Sequence, residues 1–594
     1  MTNVLVDNTS LTSIANAIRS KNGTNTTYKP AQMDDAINAL NVFKPSSWSR
    51  PSSFPDYSQL DISEDEVIYL TYDTSYDSMW ISVRVYGAYT IKRGSLSNGV
   101  FTAATSTNCA SGDIFRENLP TNAGAYVVYQ ITPQSGSSLT RFEFARKDDE
   151  NSSTYFQSWQ QPCVERYCSI PNWVGTANRS NNQYTWSTRY IVADTVMNAI
   201  PTSLVSAYSD GGFSLEYLDM STCSFADVTT MANFAFNQYN LTYVYLPDDL
   251  SSKCTTLEGV FRNVYNIHNL DLSGWNTSGV TKFARCFDGC RMLSEIKGIE
   301  DFDFTSATDI SYMFENCNVL QDIDTSDWVI GSSVTNLAYL FYNCYFIKSL
   351  SVNTWNVTNV TSFAGTFGGC TTLKELNISN WEVTTKATDM NTMFGYCREL
   401  RNLNWDTSSW DTKNVTNFSS MFRECRELLE IDVSDFDTSS ATNVSYMFNH
   451  CNKLTSFDIS NFDLTKVTTL NNSDQFASNC WLLKNVTLPS TKVTKMPDFE
   501  YCYYLEKLVI PSTVNEIGRS HLRNLEHCYL LDFRNHTSVP TLSAYTDITN
   551  GWNSKIKIVV PDSLYSTWTS TAQWNNATLV AAIVSASTYE ASLA

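Results

Sequence analysis

Phe314-Glu-Asn-Cys317 belongs to a series of Phe-x-x-Cys tetrapeptides that recur through the middle of the chain. The others are Phe287-Asp-Gly-Cys290, Phe341-Tyr-Asn-Cys344, Phe367-Gly-Gly-Cys370, Phe394-Gly-Tyr-Cys397, Phe422-Arg-Glu-Cys425 and Phe448-Asn-His-Cys451. Successive cysteines lie 26 to 28 residues apart. A constant period in this range predicts a solenoid, in which each coil buries its apolar face against the next.

One coil can be read from Leu376 to Leu400. Leu376-Asn-Ile378-Ser alternates apolar and polar residues, which predicts a short strand with one buried face. Trp381 is predicted to pack at a corner, and Asp389 to Cys397 to form a short helical turn. Met393, Cys397 and Leu400 then share one face of that turn. Other coils carry the same corner aromatic, namely Trp275, Trp328, Trp355, Trp410, Phe436 and Phe462.

The repeat resembles a known family in its details. Residues 403–425 contain Trp410-Asp411, then Val415-Thr416-Asn417, then Met421-Phe422-Arg-Glu-Cys425. This pattern is similar to the leucine-rich repeat of bacterial surface proteins, the BspA-like type. The resemblance covers roughly residues 215–535 and implies a leucine-rich-repeat solenoid with a C-terminal cap.

The length of 594 residues exceeds what one core supports, so several domains are expected. We predict a multidomain, mainly β fold with short helices. The predicted order is an N-terminal helical attachment hairpin (1–42), a Pro/Ser linker (43–55), an antiparallel β-sandwich domain (56–170), a connector (171–213), the solenoid (214–535) and a capping segment (536–594). Trp80, Trp159 and Trp173 could stack on sugar rings, with burial in a core as the alternative.

The net charge of −20 and the lack of a Lys/Arg cluster argue against nucleic-acid binding. No stretch approaches the roughly 20 apolar residues of a membrane span, so membrane insertion is not expected. The N-terminus lacks the features of a signal peptide and of a lipidation motif.

Sixteen cysteines are present, and ten of them occupy repeat positions. Free cysteine behaves as a small buried hydrophobic residue, and we predict that role here. The alternative, a zinc site, needs converging ligands with characteristic spacings, which the cysteines lack. No metal and no cofactor are therefore expected.

The first 42 residues predict a helical hairpin that is too small to fold alone, so we expect it to attach to a partner. Its two apolar faces consist of Leu11, Ile14 and Ile18, and of Met33, Ile37 and Leu40. The stretch from Leu11 to Met33 resembles a short N-terminal module of phage tail and fibre proteins. That resemblance implies other tail or baseplate proteins as partners and, as is usual among tail fibres, a homotrimer. An ordinary capping hairpin is the alternative.

Two repeated surface features are candidates for binding. A ladder of polar residues follows the buried strand positions at Asp324, Asn377, Asp432 and Asp458. It could hold divalent cations or glycans, or simply form solvated rungs between coils. Tyrosines, which are enriched in binding surfaces, gather towards both ends of the solenoid, at Tyr239, Tyr243, Tyr245, Tyr265, Tyr342, Tyr345, Tyr501 and Tyr503. Half-buried packing is the alternative for these rings.

No catalytic motif is present, so an enzyme is not predicted. The sequence favours a phage tail fibre or receptor-binding protein, made in the host cytoplasm and located in the virion. It would bind a host-surface glycan or protein through the solenoid. The alternative is a bacterial cell-surface leucine-rich-repeat adhesin, and a polysaccharide depolymerase is the third hypothesis.

Overall fold

The structure is a computed structural model that describes residues 68–73, 80–97, 100–118, 126–139, 141–144, 163–168, 190–193, 203–205, 215–221, 223–468, 470, 474–518, 520–542, 549–575 and 577–593. The predicted hairpin (1–42) and linker (43–55) lie outside these residues. The described part is mainly β with a few short helices, as the sequence predicts.

Seven antiparallel strands precede the repeats: β1 (Ile68–Asp73), β2 (Trp80–Tyr86), β3 (Tyr89–Ser97), β4 (Val100–Cys109), β5 (Ile114–Asn118), β6 (Tyr126–Pro133) and β7 (Arg141–Phe144). They form a β1-β6-β3-β4 sheet and a β5-β2-β7 sheet. The sheets contact each other where the Tyr129 hydroxyl of β6 donates to Glu117 of β5 at 2.9 Å. The sandwich predicted for residues 56–170 includes many residues outside the described ones, so it stays a prediction.

Short strands then recur along the chain: β8 (Cys163–Cys168), β9 (Tyr190–Ala193), β10 (Tyr217–Asp219), β11 (Tyr243–Tyr245), β12 (Asn269–Asp271), β13 (Glu295–Lys297), β14 (Glu375–Asn377), β15 (Asn402–Asn404), β16 (Ser456–Asp458), β17 (Asn485–Thr487), β18 (Lys507–Val509), β19 (Glu516–Ile517), β20 (Leu530–Asp532), β21 (Thr541–Leu542), β22 (Lys557–Val560) and β23 (Ile583–Ser585). Strands of neighbouring coils pair in parallel, as Leu376 does with Leu403. Leu376 points inward while its strand neighbours are exposed. The predicted solenoid is therefore confirmed.

The N-terminal sheet and the solenoid share one continuous sheet. β1 pairs antiparallel with β6 on one side and with β8 on the other, while β8, β9 and β10 pair in parallel. Parallel stacking thus begins before the predicted boundary at residue 214. It also continues through β22 and β23, beyond the predicted end at residue 535. These outer coils lack the Phe-x-x-Cys motif, so their sequence carries no visible period.

The helical turn predicted for Asp389–Cys397 is wrong. Thr392 (φ 55°) and Tyr396 (φ 64°) adopt left-handed conformations, which a right-handed helix excludes. Every second amide donates to a carbonyl of the next coil, namely those of residues 390, 392, 394 and 396. The amides between them, at residues 393, 395 and 397, donate to carbonyls three residues back. The backbone of this turn segment therefore bonds directly to the next coil.

The Val-Thr-Asn motif has a separate role for each residue. Val415 is fully buried. The amide and hydroxyl of Thr416 both donate to the carbonyl of Thr388 in the preceding coil, at 3.0 and 3.3 Å. Asn417 forms parallel bridges to both neighbouring coils, and its Oδ1 accepts the amide of Ser419 at 3.1 Å. The motif recurs because each coil must repeat these inter-coil bonds.

The Phe-x-x-Cys residues form the core of the stack. The ring of Phe394 lies parallel to those of Phe367 and Phe422, with centroids 5.9 and 5.5 Å apart. The Cys397 thiol donates to the carbonyl of Phe367, one coil back, at 3.1 Å. The ten repeat cysteines are buried free thiols, and burial raises the pKa of Cys397 to about 12. The predicted free, buried role of the repeat cysteines is confirmed.

Corner tryptophans stack on one another along the solenoid. The Trp381 ring lies 6.2 Å from that of Trp355, and Trp355 lies 6.1 Å from Trp328. Nε1 of Trp381 donates to the Val352 carbonyl of the preceding coil at 2.8 Å. All three rings are buried, so the predicted corner role is confirmed.

The C-terminal end closes with three helices: α1 (Tyr565–Ser570), α2 (Ala577–Ala582) and α3 (Ala586–Leu593). Trp568 and Trp574 pack at 4.6 Å and contact Phe533 of the last coils. Nε1 of Trp574 donates to the Pro540 carbonyl at 2.9 Å. Within the described ranges, no helix has the length and apolar character of a membrane span.

Candidate functional site

The polar ladder on the strand face is held in turns. Oδ1 of Asp324, Asn377, Asp432 and Asp458 accepts the amide of the serine two residues later, at 2.8 to 3.1 Å. The hydroxyl and the amide of that serine hold the pKa of Asp324 and of Asp432 below the usual range. One side-chain oxygen of each residue is therefore already hydrogen-bonded within its own coil. This favours the structural role over cation binding.

Two open depressions lie on the strand face beside these residues. One, of about 530 Å³, is lined by Trp405, Asp432 and Asp458 together with neighbouring residues. The other, of about 890 Å³, includes Asp324 and Lys297. Asn377 lines neither of them, so the four residues do not form one site.

The N-terminal tyrosines divide between the strand face and a coil tip. Tyr243 and Tyr245 of β11 contact Tyr217 of β10, with ring centroids 6.3 and 5.6 Å away. Burial, Asp219 and Tyr243 raise the pKa of Tyr245 to about 12. The Tyr245 hydroxyl therefore stays protonated at neutral pH and can donate a hydrogen bond.

The ring centroids of Tyr239 and Tyr265 lie 4.7 Å apart, away from the strand face, and the ring planes are tilted by 31°. The guanidinium of Arg291 lies 4.3 Å from the Tyr265 ring centroid. Both tyrosines are half-buried, so stacking between coils accounts for most of their surface.

A row of side chains on the turn segments includes Tyr342. The Arg285 guanidinium lies 3.9 Å above the ring of Tyr312, Tyr312 stacks on Tyr339 at 4.9 Å, and Tyr339 meets Tyr342 edge-on at 5.2 Å. Arg285, Tyr312 and Tyr339 have positive φ, which bulky residues rarely adopt. Burial raises the pKa of Tyr339 and of Tyr342. Tyr345 is exposed, as is Phe346 beside it in the sequence.

The C-terminal coils present several exposed aromatic side chains. We define the aromatic edge as Trp481, Leu482, Tyr504 and Tyr529, which are 47%, 39%, 43% and 45% exposed. Their coils are adjacent, because the Tyr504 amide donates to the Trp481 carbonyl at 3.3 Å. The Tyr504 ring stacks on His527 at 4.4 Å, which fixes its orientation.

The predicted residues Tyr501 and Tyr503 flank this edge, and their ring centroids are 6.1 Å apart. Both are less exposed than Tyr504. The sequence prediction missed Trp481 and Tyr529. A usable signal exists, because Trp481, Tyr503 and Tyr529 directly follow a repeat cysteine, and Tyr345 does the same earlier in the chain. The candidate attachment residues Leu11, Ile14, Ile18, Met33, Ile37 and Leu40 lie outside the described residues.

Comparison with known protein families finds sequence similarity within the repeats. A family described as "Mycoplasma protein of unknown function, DUF285" matches residues 229–348, 324–409 and 399–501, all within the solenoid. No curated protein sequence matches the chain significantly.

Similar solved structures include a leucine-rich cell surface protein from Faecalibacterium prausnitzii, with 17% identity, 65% of this chain and 85% of that chain covered, and a TM-score of 0.32. A leucine-rich-repeat protein from Bacteroides ovatus has 16% identity over 60% and 83% of the chains, with a TM-score of 0.30. An internalin from Listeria monocytogenes has 12% identity over 55% and 82%, with a TM-score of 0.18.

Proposed function

We propose that this chain is an adhesin-like binding protein, which recognises a macromolecule at a cell surface through the aromatic edge of its solenoid. The observation that carries the proposal is the exposure of Trp481, Leu482, Tyr504 and Tyr529 side by side on adjacent coils. Contiguous exposed apolar patches often mark interaction sites in soluble proteins, and Trp and Tyr are enriched in binding hot spots.

The solenoid supports this function by holding the edge rigid. Coil-to-coil backbone bonds fix the tips, so a partner meets side chains that are already positioned, and little ordering entropy is lost on binding. The expected contact is therefore broad and centred on the aromatic side chains, with hydrogen bonds from the tyrosine hydroxyls at its margin.

Binding of the labelled chain to a panel of bacterial and epithelial cells, measured by flow cytometry, tests the proposal. We expect Trp481→Ala and Tyr504→Ala each to weaken binding by at least about 30-fold, as hot-spot residues do. Arg398→Ala and Lys453→Ala serve as matched controls in central coils. Arg398 stands one residue after a repeat cysteine, as Trp481 does, and Lys453 stands two residues after one, as Tyr504 does. Equal binding by all four variants would place recognition elsewhere. Protease or periodate treatment of the cells then separates a protein partner from a glycan.

The second candidate is the phage tail fibre, which rests on the resemblance of residues 11–33 to tail proteins. Its partners would be tail or baseplate proteins bound through residues 1–42, and its location the virion. Mass spectrometry of purified particles tests it, because detection of the chain in particles is expected only of a virion protein. Both candidates use the same recognition surface. They differ in whether a cell or a virion displays that surface.

A further inference from the structure

Three buried side chains with metal-binding chemistry meet in the C-terminal coils. Asp474, Asp498 and His521 each offer one donor atom, and these atoms lie within 4.8 Å of one another. The residues are 1%, 0% and 1% exposed. Their coils are consecutive, because the amide of Ala477 donates to the Asp498 carbonyl and that of Phe499 to the His521 carbonyl.

Both carboxylates have one unused oxygen. Oδ1 of Asp474 and Oδ1 of Asp498 accept the amides of Phe476 and Glu500, at 3.4 and 2.8 Å. Oδ2 of each aspartate is buried and has no hydrogen-bond partner among the described residues. Buried polar atoms in native proteins are nearly always satisfied, and an unpaired buried carboxylate is strongly unfavourable. A positively charged ligand would remove this cost.

We propose that Asp474, Asp498 and His521 bind one divalent transition-metal ion, with Zn²⁺ as the best fit. Carboxylate oxygen and imidazole nitrogen are both good zinc ligands, whereas the imidazole disfavours Ca²⁺ and Mg²⁺. Three protein ligands leave the fourth tetrahedral position to a water molecule. Donor atoms on tetrahedral zinc lie about 3.3 Å apart, so small side-chain movements suffice to close the site.

The His521 ring meets a backbone amide of its own coil. The Gly518 amide donates to its Nδ1 at 3.3 Å, which is longer than a normal hydrogen bond. An ion bound to Nδ1 replaces this hydrogen bond. An ion bound to Nε2 requires the ring proton on Nδ1, which then no longer accepts the Gly518 amide.

The site lies where the solenoid changes its repeat. The spacing between repeat cysteines falls from 29 residues (Cys451 to Cys480) to 22 (Cys480 to Cys502). An ion bound here would join the three coils that also carry the aromatic edge. The metal therefore acts as a structural clamp in the coils that change from one repeat length to the next.

The competing explanation is a proton shared by the two carboxylates. Burial and the Asp498 carboxylate raise the pKa of Asp474 to about 8, so the pair can be neutralised by one proton instead of a metal. The two explanations predict opposite effects of Asp498→Asn. This change removes a metal ligand in the first case, and in the second it replaces a buried acid with a neutral group.

The test uses the full chain, purified with a chelator and dialysed, and Zn²⁺ alone as the probe. We expect one zinc per chain by elemental analysis, and a higher Tm with zinc than with chelator. Asp498→Asn should weaken zinc binding by at least about 100-fold, because removing a direct ligand exceeds the loss seen for residues that only orient ligands. Asp288→Asn is the matched control, since this buried aspartate is paired with Arg262 and Arg285 and should not alter zinc binding.

Three results would overturn the proposal. The first is the absence of any zinc-dependent change in Tm of the unaltered chain. The second is a zinc-independent rise in Tm for Asp498→Asn, which indicates the shared proton. The third is a thiolate charge-transfer band in the Co²⁺-loaded chain, which would show that the ladder cysteines hold the metal. The first and third use the unaltered chain, so they decide the matter even when the variant fails to fold.

Discussion

Trp381→Phe and Trp355→Phe differ by one hydrogen bond, and the pair tests how the corner stabilises the solenoid. Both tryptophans are buried and stack on each other. Nε1 of Trp381 donates to the Val352 carbonyl, whereas Nε1 of Trp355 is buried and has no partner among the described residues. Phe436 and Phe462 occupy the same corner in later coils, so phenylalanine fits there.

The expected costs follow from these contacts. Each change removes part of a buried ring, which costs about 1–2 kcal/mol. Trp381→Phe also removes the indole hydrogen bond to the Val352 carbonyl, which still accepts the Trp355 amide. The lost bond adds about 0.5–1.5 kcal/mol, so the total is about 1.5–3.5 kcal/mol. Trp355→Phe instead removes an unsatisfied donor, which offsets the cavity and leaves a loss of about 0–1 kcal/mol. The two variants should therefore differ by roughly 2 kcal/mol.

Hydrogen exchange measured by mass spectrometry is the appropriate assay, because long solenoids need not unfold in one step. Peptides from coils 352–397 should lose more protection in Trp381→Phe than in Trp355→Phe. Urea denaturation followed by circular dichroism provides the global comparison. Equal losses of protection in the two variants would show that the indole hydrogen bond adds nothing to stability, and would refute the reasoning.

Three further predictions concern thiols, pH and the cap. Repeat cysteines such as Cys370 and Cys397 should resist alkylation in the native chain, because burial keeps them as protonated thiols. They should react fully after denaturation without reductant, and missing thiols would indicate disulfides. Burial and the Asp288 carboxylate raise the pKa of Glu315 to about 7. The free energy of unfolding should therefore fall as pH rises from about 4.5 to 7, and Glu315→Gln should remove this pH dependence in urea titrations. Trp574→Ala should cost about 3–5 kcal/mol and increase exchange first in β20 to β23; uniform exchange along the solenoid would contradict a capping role.

The period of the sequence predicts most of the solenoid because each repeated residue has a repeated contact. Phe394 and Cys397 recur because every coil needs the same ring stack and the same thiol-to-carbonyl bond. The turn segment is different. Its left-handed positions are occupied by residues such as Thr392 and Tyr396, which carry no glycine signal, so spacing alone suggests a helix.

The candidate sites are less visible in the sequence, because they arise from contacts between coils. Asp474, Asp498 and His521 are 24 and 23 residues apart and fit no metal-binding motif. They meet only because consecutive coils stack at strand spacing. Trp481 and Tyr529 are exposed side chains whose positions the repeat spacing alone does not predict.

The backbone bonds of the turn segment leave its outward side chains free to vary. Successive coils already place Arg285, Tyr312, Tyr339, Gly365 and Thr392 at one equivalent position without changing the inter-coil ladder. Point mutations there can therefore remodel the outer surface while the scaffold persists. Related genes could diversify at these positions, much as antibody loops vary on a constant framework. In such a gene family the core residues would stay constant while the surface residues vary.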